Sequence, residues 1–545
     1  MTEREEVKRY LGRLGRLERI RKPHEKRMTS SIKYILPYHY SMDPNANVED
    51  WEDERYDTTA SEAVTMLGDG MVGNVCPSTV KWFSHRAAKN EANDDPEVKK
   101  WLQEVDDRMT DAVNRSNFYD MAPTIFKHGI AMETVCCPVN VDPSTGSAVV
   151  STLPPREVYV VNDAHGRVFA VYRRFKLSAE QAIELFKKAK DRLSLPLLRA
   201  AEKSPDDEFS FVSVYEQRLE RDPEKQDAAN MPWRGITFED GGEKIIEDAG
   251  YRTIPVPTWR WEIRGRDAYG YGLATEAMAD IKTANEMART LIVVAQKLAD
   301  PPTFLPNEFM DDRDVSLEAG AINFYRDPGM RPYTHLASQG FPVNEKVLDS
   351  YREKIRSVFK VRYFMMLMQM EQPGRTAYEI RERKIEKITA MGSIIGRCQQ
   401  ELLIPILARM FWIEYEAGRL PEPPPMMRGE GLVIDFVGPF AQAQKEVTQT
   451  AGVLTGLNNL AGLFQIWPRL TMKINEEAVA EEILNSAGFP QKAMKTKKQY
   501  AKAVEAAQEA EQKQAEIAQA AELGKATKRV ESGSIASQIM GTPEE

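Results

Sequence analysis

Cysteine is scarce in this chain. Four occur in 545 residues, Cys76, Cys136, Cys137 and Cys398, and none stands in a C-x-x-C pair. That usage excludes a disulfide framework or a cysteine-rich zinc site and fits a reducing compartment. An excess of positive charge is also missing, since 73 Lys and Arg face 82 Asp and Glu for a formal net charge of -9. A protein of this balance does not coat DNA by simple neutralisation; if such a chain meets DNA, it does so locally or without holding on. No apolar run approaches the ~18 residues of a membrane span. The best candidate, Leu402 to Ile413, is short and carries Pro405 and Arg409. The chain is charged from its third residue, which leaves no signal-peptide hydrophobic region. A soluble protein with no membrane partner is expected.

Signatures of catalysis are equally thin. A P-loop ATPase needs G-x-x-x-x-G-K-[ST], whose backbone amides cradle phosphates. The nearest match, Gly524-Lys525-Ala526-Thr527, has Ala526 in the hydroxyl position and Gln519 where the first glycine belongs. The six histidines, among them His85, His128 and His335, show no H-E-x-x-H spacing and read as hydrogen-bonded or surface residues. Asp311, Asp312 and Asp314 could supply oxygen ligands to a nuclease metal, but adjacent acids in a turn are ordinarily solvated. No enzyme, metal or cofactor is expected.

What is present is a globular composition, 42% hydrophobic and 28% charged, organised around the stretch from Gly270 to Pro306. Ala277, Ile281, Ala284, Ala288, Leu291, Ala295 and Leu298 recur at spacings of four and three, one face of a helix. A helix from Ala274 to Asp300 would be roughly 40 Å long. Pro301-Pro302 ends it. The alanines on that stripe let a neighbouring helix approach closely.

The rest of the chain arranges itself around this helix. Residues 1 to 40 read as a basic helix with Leu11, Leu14, Leu17 and Ile20 on one face, interrupted at Pro23 and either solvated, partner-facing or touching nucleic acid. Helices follow over Ser61 to Val72, from the Asp95-Pro96 cap, and after Asn117. Beyond residue 130, Val- and Tyr-rich runs at Ala148 to Leu153, Val158 to Val161 and Val168 to Phe175 predict a small antiparallel sheet. Ser178 and Gln181 suggest a capped helix, and strands follow at Phe209 to Arg218, Gly235 to Phe238, Lys244 to Ile246 and Pro257 to Ile263, with a turn at Gly241-Gly242.

After the long helix comes an irregular stretch to Pro342 with a strand at Ala321 to Tyr325. A second helix begins at Asn344, striped by Val347, Tyr351, Ile355 and Val358. The two helices thus bracket an insertion of about forty residues, longer than a structureless loop. Met365, Met366, Met368, Gln369 and Met370 then form a soft segment before Pro373-Gly374. Thr376 and Glu379 make a capping box for a helix running to Tyr415, with bends expected at Gly392 and Pro405. Leu420 to Pro425 reads as a linker, Val433 to Phe436 as a strand and Ala441 to Asn459 as a helix. From Glu476 the chain is alanine-rich helix with little apolar area of its own, ending near Gly524. The fold class is α+β, mainly α.

This order of features resembles the head-to-tail connector, or portal, proteins of short-tailed (podovirus, T7-like) bacteriophages. The resemblance covers roughly residues 5 to 490. It is carried by Trp82-Phe83, Trp101-Leu102, Asn114-Arg115-Ser116-Asn117-Phe118, Phe126-x-x-Gly129, Pro155-Arg156-Glu157-x-Tyr159 and Phe175-Lys176-Leu177-Ser178. Its strongest part is Tyr271-Gly272, Asp280-Ile281-x-x-x-Asn285, Pro301-Pro302 and Gly374-Arg375-Thr376-Ala377-x-Glu379-Ile380. One departure is Leu273-Ala274, where the family more often carries a proline.

The resemblance implies a homo-oligomeric ring, usually of twelve subunits, at one capsid vertex, with a channel for double-stranded DNA. On that pattern residues 1–270 are the wing, 271–300 the first stem helix, 301–343 the clip and 344–364 the second stem helix. Residues 365–375 are then the channel loop, 376–475 a long kinked helix with the remaining wing, and 476–545 a helical crown with a mobile end. The implied partners are a tail adaptor, the major capsid and scaffolding proteins, and the terminase large subunit during DNA packaging. The place is the head-to-tail junction of the virion, after assembly in the host cytoplasm. Candidate constriction residues are Met365, Met366, Met368, Gln369 and Met370, with Arg375 as a phosphate contact. Asp311, Asp312, Asp314 and Tyr325 are the clip candidates. Alternatives are another ring-forming virion component such as a tail adaptor, or a nucleic-acid-processing enzyme.

Overall fold

An antiparallel meander of five strands gives the N-terminal region its frame. It runs β5 (Val158–Asn162), β6 (Val168–Ser178), β7 (Glu208–Gln217), β8 (Trp233–Glu239) and β9 (Ile245–Tyr251), each paired with the next. The computed structural model describes residues 2–37, 42, 54–225, 227–306, 316–325, 341–361, 392, 394–427, 429–445 and 479. The chain divides into two units, Met1–Ala443 and Gln444–Glu545, and the architecture below belongs to the first. The expected strands at Val158, Val168, Phe209, Gly235 and Lys244 are all there, as is the turn at Gly241-Gly242 between β8 and β9.

Both faces of this sheet are covered, which is why its strands read as continuous apolar runs instead of alternating ones. Tyr159, Ala170, Tyr172, Val212, Val214, Ile236 and Phe238 meet Val7, Tyr10, Leu14 and Leu17 of helix α1 (Glu3–Ile35). Val158, Val160 and Val171 point the other way, against Met28, Cys136, Val256 and Tyr269. Further along, α5 (Ala179–Leu185) and α6 (Leu195–Lys203) cover Phe175, Phe211 and Ile246. The Ser178–Gln181 capping box that starts α5 is formed, whereas α6 had no counterpart in the sequence reading.

The N-terminal helix corrects two expectations. It does not stop at Pro23, which lies inside α1 on the exposed side. Its buried face is Val7, Tyr10, Leu14, Leu17, Arg21, His24, Met28, Ile32 and Ile35, and Ile20 is 58% exposed. A three-residue spacing drifts around a helix, while the true alternation of three and four stays on one side. Pro23 costs one backbone bond, and burial of α1 before and after it outweighs that loss.

Helices α2 (Thr59–Val75) and α4 (Phe118–Met132) pack against α1 and each other, and α3 (Pro96–Arg115) packs against α4. Asp95 caps α3 by accepting from Glu97 N and Val98 N, with Pro96 in the first turn, as its sequence suggested. Trp82 is 1% exposed, stacked between Phe118 and Phe436, and donates through Nε1 to Tyr119 Oη at 2.9 Å. It thereby joins α4 to the pair β1 (Phe83–Ala87) and β13 (Leu432–Phe436). Gly129 of α4 sits under the Trp259 ring of β10 (Thr258–Arg260), the partner of β2 (Thr134–Cys136), and a Cβ there would lie 2.1 Å from it. Strands β3 (Val139–Val141) and β4 (Ala148–Val150) form a further antiparallel pair. The segment read as a linker is held to α3, since Trp101 Nε1 donates to Pro421 O at 3.1 Å and Met427 is buried beside Leu102.

Two long helices complete the unit, α7 (Leu273–Ala299) and α8 (Phe341–Val358). Between them β11 (Thr303–Pro306) and β12 (Ile322–Tyr325) pair in parallel. A further helix, α9 (Ile404–Glu416), follows a π-helical turn at Gln399–Leu403, and a short one, α10 (Pro439–Lys445), comes after β13. Pro405 has no N–H to give to Glu401, so the ladder loosens just before it.

Candidate functional site: the paired long helices and their anchors

The start of α7 is fixed by a carboxylate from elsewhere in the chain. Its N-cap, Gly272, has no side chain to cap with. Glu133, 3% exposed and at φ 63°, takes over: Oε1 accepts from Thr275 N at 2.7 Å and Oε2 from Thr275 Oγ1 at 2.8 Å. A negative charge at a helix N-terminus is favoured by its unsatisfied amides and its dipole. Burial pushes the Glu133 carboxyl above its ordinary range, and the bonds from Thr275, the nearby Arg27 and Gly272 pull it back. Arg27 reaches Glu133 at 3.5 Å and lies 3.9 Å over the Tyr271 ring. At Gly270 a Cβ would stand 2.0 Å from the Glu133 carbonyl oxygen, so the Tyr271-Gly272 turn closes only because residue 270 is glycine.

Midway along α7 a second anchor ties the two helices to one segment. Asn285 is 3% exposed, accepts from Tyr56 N at 2.7 Å and Asp57 N at 3.2 Å, and donates to Glu54 O at 3.0 Å. Asp57 in turn accepts from Thr59 N at the start of α2 (3.0 Å) and from Arg352 Nε of α8 at 2.8 Å. Both carboxylate oxygens of Asp57 are therefore used, and α2, α7 and α8 are cross-linked through one turn of chain.

The stripe expected on α7 divides at this point. Ala277, Ile281, Ala284 and Ala288 are buried, Leu291 is half-buried, and Ala295 and Leu298 are exposed. Ile292 and Val293 are exposed as well, at 42% and 39%. A groove of about 450 Å³ runs along the flank of α7, lined by residues including Glu286, Met287, Thr290, Leu291 and Val294. The adjoining strands carry more apolar surface, with the cross-strand pair Leu305 and Phe324 at 43% and 41% and Ile322 at 61%. On α8 Leu348 and Ile355 are buried, as is Phe359 just past its end, and Val347 is 40% exposed. Of the expected stripe, Ile355 is buried, whereas Val347 is exposed and its neighbour Leu348 is buried in its place; Arg352 reaches the anchor at Asp57.

A third anchor joins the sheet region to the chain ahead of α9. Arg260, 1% exposed, is held two-pronged by Glu401 of the π-turn, at 2.6 and 3.2 Å, and its backbone N also donates to Glu401. The guanidinium further bonds Asn162 Oδ1 and Gly166 O, both at 3.0 Å. Planar, fully engaged guanidinium geometry of this kind sets orientation as well as energy.

The remaining candidates are placed as follows. Met365, Met366, Met368, Gln369, Met370 and Arg375 lie outside the described residues, as do Asp311, Asp312, Asp314 and His335. Tyr325 closes β12. His85 is buried and hydrogen-bonded through Nδ1 to Asp106 at 2.7 Å. Among the described residues, no group of three or more His, Cys, Asp or Glu could hold a metal ion, and no helix is long and apolar enough to cross a membrane. Glu133, Asp57, Arg352, Arg260 and Glu401 escaped the sequence reading, since their partners lie far along the chain and leave no local spacing. Asn285 was visible, as part of Asp280-Ile281-x-x-x-Asn285, and so was the Tyr271-Gly272 turn.

These anchored helices lie within a stretch that a family model covers almost end to end. The model for the bacteriophage head to tail connecting protein matches residues 7–494. The chain belongs to that family. Over 502 residues, 90% of this chain and 89% of the relative, this connector chain is 28% identical to a probable portal protein of Bordetella phage BPP-1. It is 26% identical over 537 residues, 96% of this chain and 94% of the relative, to the portal protein of Salmonella phage epsilon15. Trp82, Phe118, Gly129, Gly272 and Asn285, singled out by the resemblance, all fall inside the matched span.

Proposed function

We infer that this chain is the subunit of a phage portal: a ring at one capsid vertex through which double-stranded DNA is packaged and ejected, and to which the tail attaches. The observation that carries the reading is the connector-family match over residues 7–494, with similarity over about nine-tenths or more of a portal protein and a probable portal protein. The role is structural, and the chain resides in the virion. A ring subunit needs two different contact faces that close by rotation. The exposed distal half of α7 and the exposed β11–β12 pair supply apolar surface for such contacts.

At finer grain, α7 and α8 are read as the stem, 301–343 as the clip, 365–375 as the channel loop, the preceding sheet region as the wing, and 476–545 as the crown. About twelve subunits form the ring. The clip takes the tail adaptor and, during DNA packaging, the terminase large subunit, while capsid and scaffolding proteins meet the wing. Met365, Met366, Met368, Gln369 and Met370 narrow the channel, with Arg375 at its edge. An acidic chain with a soft methionine loop guides DNA without salt-dependent sticking. Assembly takes place in the host cytoplasm.

Electron microscopy of the purified protein with mass determination tests this reading. Closed rings with a central hole and about a dozen subunits are expected. A chain that stays monomeric when mixed with its scaffolding and capsid proteins, and is absent from the vertex of assembled heads, would overturn it in favour of a tail adaptor.

A further inference from the structure

The outward side of α1 breaks the acidic character of the chain. Between Lys8 and Lys26 its exposed residues are Lys8, Arg9, Gly12, Gly15, Arg16, Arg19, Ile20, Lys22, Pro23 and Lys26. Six are cationic and none is acidic. The two acids in that span are engaged elsewhere, Glu18 by Arg174 at 2.6 Å and Glu25 by Arg21 at 2.9 Å. Lys8, Arg16, Lys22 and Lys26 make no ion pair among the described residues, and Arg19 bonds the Gly15 carbonyl of its own helix at 3.4 Å. At 100° per residue these five cations lie on one side of the helix, and Lys8 to Lys26 spans roughly 27 Å. The opposite side is locked to the five-stranded sheet by Tyr10, Leu14 and Leu17, so the stripe is presented on a rigid support. Gly12 and Gly15 have no neighbouring atom within 4 Å of a built Cβ, leaving open space where a backbone can come close.

We propose that this stripe binds the phosphate backbone of double-stranded DNA, as a holding contact distinct from passage through the channel. Duplex DNA offers one charge per ~1.7 Å of axis, so a 27 Å row of unpaired cations is matched along its length. A protein partner is the weaker fit: specific protein interfaces are built on an apolar core, and Ile20 is the one large apolar side chain on this side. The proposal rests on charge geometry and takes from the connector reading only the choice of duplex DNA.

The test compares the assembled full-length protein with the variant Arg16→Glu/Arg19→Glu/Lys22→Glu, using fluorescence anisotropy of a labelled 30-base-pair duplex at several salt concentrations. Lys187→Glu/Lys188→Glu/Lys190→Glu, on exposed residues of another region, is the charge-matched control. With five phosphates neutralised, binding should fall by about 10² to 10³ between 50 and 200 mM salt, and the stripe variant should flatten the log–log slope by about three units. At 50 mM it should bind at least about tenfold more weakly than the control. Equal binding by variant and control overturns the proposal, as does displacement of the duplex by poly-glutamate at lower charge concentration, which assigns the stripe to an acidic protein. Mass measurement on the same samples separates failure of assembly: a variant that no longer forms the wild-type oligomer places the stripe in a subunit contact instead.

Discussion

The two halves of α7 carry one continuous stripe and meet different surroundings. The helix packs against α1, α4 and α8; from Leu273 to Ala288 its stripe is buried, and it is pinned at its start by Glu133 and in its middle by Asn285. From Arg289 to Ala299 the same spacing continues, yet Ala295 and Leu298 are exposed, with Ile292 and Val293 beside them. Exposed apolar surface in a row marks a place that another surface covers. One periodicity thus serves two purposes, folding the subunit in its first half and, on the reading above, joining subunits in its second. Sequence periodicity reports that a face is buried; it does not report by whom.

Substitutions in the two halves should therefore separate stability from assembly. The largest effect on stability is expected from Asn285→Ala, which strips the partners from Tyr56 N, Asp57 N and Glu54 O together. At roughly 1 kcal/mol or more for each orphaned group, about 3 kcal/mol should be lost in denaturant unfolding. A smaller effect, and one that depends on pH, is expected at Glu133. Its carboxyl is raised in the folded chain, so the folded state binds the proton more readily than the unfolded state. Stability from this group is therefore full below the ordinary carboxylate value and declines as pH rises through the raised one. Glu133→Gln keeps a polar cap and cannot ionise, so unfolding measured across that window should show less decline in the variant than in the parent. The smallest change in subunit stability, within about 0.5 kcal/mol, is expected for Leu298→Asp. That variant should nonetheless lower the fraction of protein found as rings by analytical ultracentrifugation. Unchanged ring yield would remove the distal half from the interface.

Much of the frame was legible because it is local. The Asp95-Pro96 cap, the Ser178–Gln181 box, the Gly241-Gly242 turn and the strands they delimit each depend on residues within a few positions of one another. What stayed hidden depends on pairing across the chain. Glu133 and Thr275 are separated by 142 positions, Arg260 and Glu401 by 141, and Asn285 and Tyr56 by 229. No spacing announces such partners. Pro23 misled for a related reason, since a local rule about helix breaking was overridden by burial of α1 on the sheet. On α8, Ile355 was legible, but Leu348 was passed over for Val347, and Arg352, which holds Asp57, is a charge that apolar counting does not register.

The central claim is that the distal half of α7 is covered by a neighbouring subunit and the proximal half by its own chain. Thiol labelling tests it with little background, because all four native cysteines are buried and burial pushes their thiols up, Cys136 to about 12. Cysteine placed by Leu298→Cys and, separately, by Ala284→Cys would be challenged with a soluble maleimide in dissociated subunits and in rings. The account predicts that Leu298→Cys reacts in the free subunit and is protected in the ring, while Ala284→Cys is protected in both. Equal reactivity of Leu298→Cys in subunit and ring would contradict it.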